Sequence, residues 1–86
     1  MNSRTHRHFW RRYEKLPAKV QEHARETYRL FAADPAHGSL RFKPLQHHAD
    51  CWSVRIGPHY RAVGYRAKGA IYWFWIGSHA EFDRDF

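Results

Sequence analysis

Ala70-Ile71-Tyr72-Trp73-Phe74-Trp75-Ile76 is an unbroken run of seven apolar or aromatic residues, rich in β-formers. Side chains on a strand alternate between its faces, which places Ile71, Trp73 and Trp75 on one side and Tyr72, Phe74 and Ile76 on the other. Both sides call for cover, so the run is expected as a central strand rather than an edge. Seven residues are too few to cross a bilayer, and no membrane partner is expected. Gly77 ends the run. Ser78-His79-Ala80-Glu81 then has the spacing of a capping box, in which the serine accepts from a backbone N–H and the glutamate reaches back. His79 is therefore expected at a strand-to-helix corner, in the first turn of a short terminal helix. Histidine titrates near neutral pH, which makes that corner a candidate site.

Working outward, 86 residues make one domain, residues 1–86. So short a chain buries a modest share of its surface, and 15 aromatic residues supply large apolar area in compensation. The single cysteine, Cys51, excludes an internal disulfide. That usage fits a reducing compartment, and Met1-Asn2-Ser3-Arg4 leads into charged sequence rather than an apolar leader, so the cytoplasm is the expected location. The formal charge is +7, and residues 1–43 carry ten Lys or Arg against four acids, while residues 44–86 carry five against four. Such a balance fits a polyanion, most often nucleic acid, or an acidic protein; the structural alternative is a solvated basic face without a partner.

Residues 5–16 are expected to form a helix with Phe9, Tyr13 and Leu16 on one face and Trp10 beside them. Pro17 ends it and can open a second helix, which runs to about Ala33 with Val20, Ala24, Tyr28 and Phe31 as its apolar stripe. Asp34-Pro35 stops that helix. Leu40-Arg41-Phe42-Lys43 alternates and reads as an edge strand before Pro44. Cys51 to Ile56 alternates with Trp52, Val54 and Ile56 on one side and Ser53 and Arg55 on the other. Tyr60 to Arg66 is the next strand, and Ala67-Lys68-Gly69 is a hairpin loop into the central run. Met1 to Thr5 is short and polar and is read as no strand. The expected fold is α+β: an N-terminal helical hairpin packed on a four-stranded antiparallel β-meander, with a short C-terminal helix.

If Leu40, Phe42, Trp52, Val54 and Ile56 face the helices, then Arg41, Lys43, Ser53 and Arg55 point away from them. Small Ala62 and Gly64 suit close helix approach, so Arg61, Val63 and Tyr65 join the open face. Four cations and no acid at these positions make a surface able to hold phosphates and stack a base. Charged residues on the wet side of any half-exposed sheet are the structural alternative. His6 and His8, two apart on the expected helix, should not share a face. His47-His48 lacks metal-ligand spacing, so no metal is expected. Cys51 reads as a small buried filler. Hydrolase triads and phosphate-cradling glycine loops are absent.

Leu40-Arg41-Phe42-Lys43, Trp52-Ser53-Val54-Arg55-Ile56, Tyr60-Arg61-Ala62-Val63 and Trp75-Ile76-Gly77-Ser78-His79-Ala80-Glu81-Phe82-Asp83 together resemble the RelE/ParE toxin superfamily. The closing segment is similar to the HigB-like branch. The resemblance covers the chain from about Phe9 to Asp83 and implies the toxin of a type II toxin–antitoxin pair, with a cognate antitoxin protein as partner and no cofactor. RelE-like and HigB-like members cut mRNA on the ribosome; ParE-like members inhibit DNA gyrase. The resemblance therefore implies a metal-independent mRNA interferase, with a gyrase inhibitor or a non-catalytic nucleic-acid- or antitoxin-binding module as alternatives. Arg61 matches the family's phosphate-contacting strand arginine and Arg55 a basic position on the preceding strand. His79 stands where relatives place arginine or histidine. As catalytic residues, Arg61 and Arg55 would supply positive charge and His79 the acid or base. Arg41, Lys43, Tyr65, Lys68 and Phe82 would contact RNA. Ser53 stands where RelE has a second lysine, and Phe82 where a tyrosine is usual.

Overall fold

The computed structural model describes residues 1–86. In chain order it contains β1 (Asn2–Thr5), α1 (Arg7–Glu14), α2 (Ala18–Ala33), a 3-10 turn (Gly38–Leu40), β2 (Lys43–Pro44), β3 (Cys51–Ile56), β4 (Tyr60–Ala67), β5 (Ala70–Ser78) and α3 (His79–Asp85). The strands form one sheet in the order β1-β5-β4-β3-β2. The pairs from β2 to β5 are antiparallel, as expected, and β5 is an interior strand.

β1 corrects the expected four-stranded meander. It pairs parallel to β5, with Arg4 opposite Tyr72 and Thr5 opposite Trp73, so the sheet has five strands and is mixed. This strand is held by its backbone and by two indoles. His6 N donates to Trp73 O at 2.8 Å, Trp73 Nε1 to Ser3 Oγ at 2.8 Å, and Trp10 Nε1 to Thr5 Oγ1 at 3.0 Å. An edge strand that buries almost nothing needs no apolar alternation, so its pattern is silent.

Leu40-Arg41-Phe42-Lys43 is also corrected. Leu40 closes the 3-10 turn, whose start His37 caps by accepting from Ser39 N at 3.2 Å, and Arg41 lies in the left-handed region at φ 47°. Extended backbone survives only at Lys43–Pro44. Leu40 nonetheless reaches the core, at 1% exposure, by a turn instead of by alternation.

A bulge at Phe74 changes the faces of β5. Val63 pairs with Trp75, but Gly64 pairs with Trp73, leaving Phe74 as the extra residue. Ile71, Trp73 and Ile76 therefore share the helix-covered face, where they pack with Ala24, Phe31, Leu40, Val54, Ile56 and Ala62. Trp75 turns to the other face beside Tyr72, against the strict alternation expected from the run. Gly64 has no room for a side chain: a Cβ there would lie 2.7 Å from Ile71 Cγ1.

The helical hairpin splays, with α1 over β5 and α2 over β3. Beyond Thr5 the edge of β5 has no neighbouring strand, and Arg12 of α1 covers it by donating from Nε to Ile76 O at 2.7 Å. The same guanidinium stacks 4.7 Å from the Trp75 ring and meets Glu81 of α3 at 3.4 Å. His6, expected within the helix, is instead its extended N-cap, so its ring stacks on His8 at 4.6 Å.

Candidate nucleic-acid interface

The face opposite the hairpin is organised as three cross-strand rows. Arg55, Arg61 and Gly77 make the first; Lys43, Ser53, Val63 and Trp75 the second; Cys51, Tyr65, Tyr72 and Arg4 the third. Side chains opposite each other in a row project to the same side. The expected face for Arg61, Val63 and Tyr65 is thus the observed one, but it is not open. α3 folds back across it, and Ser53, Arg61, Val63 and Trp75 are all buried. The capping box that starts α3 is present in full, with Glu81 N donating to Ser78 Oγ at 3.1 Å and Ser78 N to Glu81 Oε1 at 2.8 Å. Phe82 and Phe86 then place their rings against Trp75, and Trp75 Nε1 donates to Asp85 Oδ2 at 3.3 Å.

Arg61 is the centre of this face, with 8% of its surface exposed. Its Nη2 donates to Ser53 Oγ at 2.7 Å, and its Nε is buried without any partner. The Phe82 ring lies 5.3 Å from the guanidinium carbon. Burial holds the Arg61 pKa below the ordinary arginine value; Arg41 and Arg55 push it the same way, and Asp83 opposes them. Arginine remains charged in such a setting, so the site holds a desolvated cation with an unused donor. A buried unpaired donor of this kind is costly and calls for an acceptor.

Around it stand exposed cations. Arg55 is one cross-strand neighbour and donates from Nε to Gly57 O at 3.1 Å. Lys43 lies opposite Ser53. Arg41 follows the 3-10 turn close enough for its charge to act on Arg61. His79 opens α3 two residues past Gly77; its Nε2 lies 3.6 Å from Asp83 Oδ2 and its ring 6.1 Å from Phe82. The fold therefore assembles Arg41, Lys43, Arg55, Arg61, His79 and Phe82 around one end of the sheet. Tyr65 lies on the same face but four residues further along β4, and Lys68 sits beyond it at the hairpin tip, at φ 51°. These two do not join the cluster. Ser53, which the sequence placed only as a small polar residue on this face, proves to be the partner of Arg61; that pairing depends on the β3–β4 register. No group of three or more His, Cys, Asp or Glu side chains is placed to share a metal ion.

On the hairpin face the splayed helices leave an apolar groove of about 610 Å³. Phe9, Trp10, Tyr13, Phe31 and Trp73 line it, with Arg25 and Arg29 on its border. Trp10 and Tyr28 are about half exposed there. No helix is long and apolar enough to cross a membrane.

The model of the ParE-like toxin domain matches residues 18–84, most of the chain. The chain belongs to the ParE-like toxin family. No curated protein matches this ParE-like chain. Among solved structures it is similar to the YoeB/ParE toxin from Agrobacterium tumefaciens, at 23% identity and TM-score 0.69, covering 92% of this chain and 99% of that one. It is also similar to the RelB–RelE antitoxin–toxin complex from Methanococcus jannaschii, at 11% identity and TM-score 0.77, covering 96% and 98%. The RelBE2 toxin–antitoxin complex of Mycobacterium tuberculosis gives 20% identity and TM-score 0.73, covering 91% and 96%. At these identities the likeness is one of fold. The ParE-like toxin therefore has the α+β fold of the RelE/ParE superfamily, with β1 as the strand its sequence did not announce.

Proposed function

We propose that this toxin is an mRNA interferase that cuts message on the ribosome in the cytoplasm and is restrained by a cognate antitoxin. The observation that carries the reading is Arg61: a buried cation with a free Nε, with Arg41 and Arg55 near it and Lys43 opposite its partner Ser53. A phosphodiester oxygen is an acceptor that would satisfy it. In the reaction the ribose 2′-oxygen bonds to the adjacent phosphorus while the bond from phosphorus to the 5′-oxygen breaks. The 2′-hydroxyl proton passes to a base and the 5′-oxygen takes one up, leaving a cyclic phosphate and a free 5′-hydroxyl. Arg61 and Arg55 stabilise the charge that builds on the phosphorane, an effect worth about 3 kcal/mol for one preorganised donor. His79 serves as acid or base at the strand–helix corner. Phe82, already packed on Arg61, offers a ring to a neighbouring base. The step uses only side chains of these types and needs no cofactor. The apolar groove between α1 and α2 suits the apolar face of an antitoxin helix, with acids meeting Arg25 and Arg29.

Primer extension on a reporter mRNA in a cell-free translation system tests this. New 5′ ends are expected with the wild type and are lost with Arg61→Ala and His79→Ala. Full cleavage by Arg61→Ala overturns the assignment.

A second reading, inhibition of DNA gyrase, is favoured by the ParE-like family match and by Phe82, whose ring has no hydroxyl to move a proton. Intact mRNA at high toxin concentration together with accumulated cleaved DNA–gyrase complexes would establish it instead.

A further inference from the structure

Two tyrosines remain uncovered on the face that α3 partly closes. Tyr65 of β4 and Tyr72 of β5 are direct cross-strand partners, exposed at 45% and 44%. The Phe74 bulge keeps Tyr72 on this side, in line with the rows of Arg61 and Trp75. Arg4 of β1 pairs with Tyr72, so its side chain joins the same row. Lys68 lies three residues past Tyr65, at the hairpin tip. Among acids, Asp50 precedes Cys51 at the far end of the row, and Asp85 is engaged by Arg84 and Trp75.

We propose that Tyr65, Tyr72 and Arg4 form a stacking platform for single-stranded RNA, a second contact beside the Arg61 site. The proposal rests on the RNA-directed reading above and extends it to nucleotides away from the scissile bond. Tyr65 and Arg61 are four residues apart on one strand, about 13 Å at the usual rise, which lets one RNA strand touch both. Phenol rings stack any base, and an adjacent guanidinium holds the backbone phosphate or the base plane. A sheet surface with in-register aromatics is one way that proteins bind splayed bases. A protein helix suits the place less well: the rings lie on a sheet surface with cations nearby, and the apolar groove is on the opposite face.

The test uses full-length toxin and fluorescently labelled 2′-O-methyl RNA, which binds but lacks the attacking hydroxyl. A dinucleotide probes the Arg61 site alone, and an octamer spans both contacts. Tyr65→Ala and Tyr72→Ala are each expected to weaken the octamer about tenfold and leave the dinucleotide unchanged. Tyr65→Phe and Tyr72→Phe, which keep the ring, should bind as the wild type does. Arg4→Ala should flatten the salt dependence of octamer binding. Equal octamer affinity for wild type and the double alanine variant, with dinucleotide binding intact, overturns the platform and leaves the Arg61 site standing. If wild type binds neither probe, the platform is overturned, whereas the RNA reading itself stands or falls on primer extension in the translation system. If the alanine variants instead abolish self-association while RNA affinity holds, the patch is a protein contact and the proposal is overturned.

Discussion

Arg61 Nη2 donates to Ser53 Oγ at 2.7 Å while Nε of the same guanidinium is buried with no partner at all. One hydroxyl cannot satisfy a guanidinium. The fold thus keeps a desolvated charge that contributes little to its own stability. An active site can trade stability for activity in this way.

Arg61→Met should therefore separate the two. The side chain keeps an unbranched apolar stem and loses the buried charge, so the unfolding free energy from urea titration is expected to stay within about 1 kcal/mol of wild type or to rise. Cleavage in the translation system should fall at least about a hundredfold. A large stability loss would mean that the guanidinium is chiefly structural.

The exposed cations should act through phosphate contacts. Arg41→Ala, Lys43→Ala and Arg55→Ala are each expected to weaken RNA binding across all sequences. Each should also reduce the slope of log affinity against log salt by about 0.7, the single-strand value per phosphate. Fluorescence titration at four salt concentrations measures it. Lys68→Ala, at the distant hairpin tip, should change the slope least.

Glu81 makes the start of α3 sensitive to acid. Its carboxyl is held below the usual carboxylate range, chiefly by the backbone N–H of Ser78, then by the Ser78 hydroxyl and the Arg12 and Arg84 charges, while burial works the other way. The folded value is depressed, so its contribution to stability is complete above the unfolded carboxylate value of about 4.3 and is lost as pH falls through the lower folded value. Urea midpoints of wild type and Glu81→Gln should differ at neutral pH and converge in acid. Ser78→Ala, which removes the other half of the box, should cost about 1 kcal/mol.

Gly64→Ala should cost about 1–3 kcal/mol through overpacking, because the added Cβ would lie 2.7 Å from Ile71 Cγ1 and 2.8 Å from Trp73 Cε3. Chemical denaturation reads this directly. A neutral result would mean that β5 can move away from β4 at the bulge.

Local pattern carried much of the fold. The periodicity of Val20, Ala24 and Phe31 marks α2, and Trp52, Val54 and Ile56 mark the core side of β3. Ser78 and Glu81 mark the cap of α3 to the residue. Strand alternation put Arg55 and Arg61 on one face and the capping box put His79 at a strand-to-helix corner, because both are short-range devices, each visible within a few residues. The family resemblance joined those pieces.

The remaining features depend on contacts between distant parts of the chain. β1 exists because the edge of β5 offers backbone partners to Asn2–Thr5, whatever their side chains. The bulge at Phe74 exists because β4 and β5 differ by one residue between shared rungs, and it sends Trp75 to the face of Arg61. Arg61 is a buried cation because α3, seven residues long, lays Phe82 across it. By itself the sequence determined the order of the three helices and of β3 to β5, most faces and the residue types at the site. Only the tertiary structure decided which of them are covered, which donor is left unpaired and which tyrosines stay in reach of solvent. Burial and register are sums over segments far apart in the chain, and no local period encodes them.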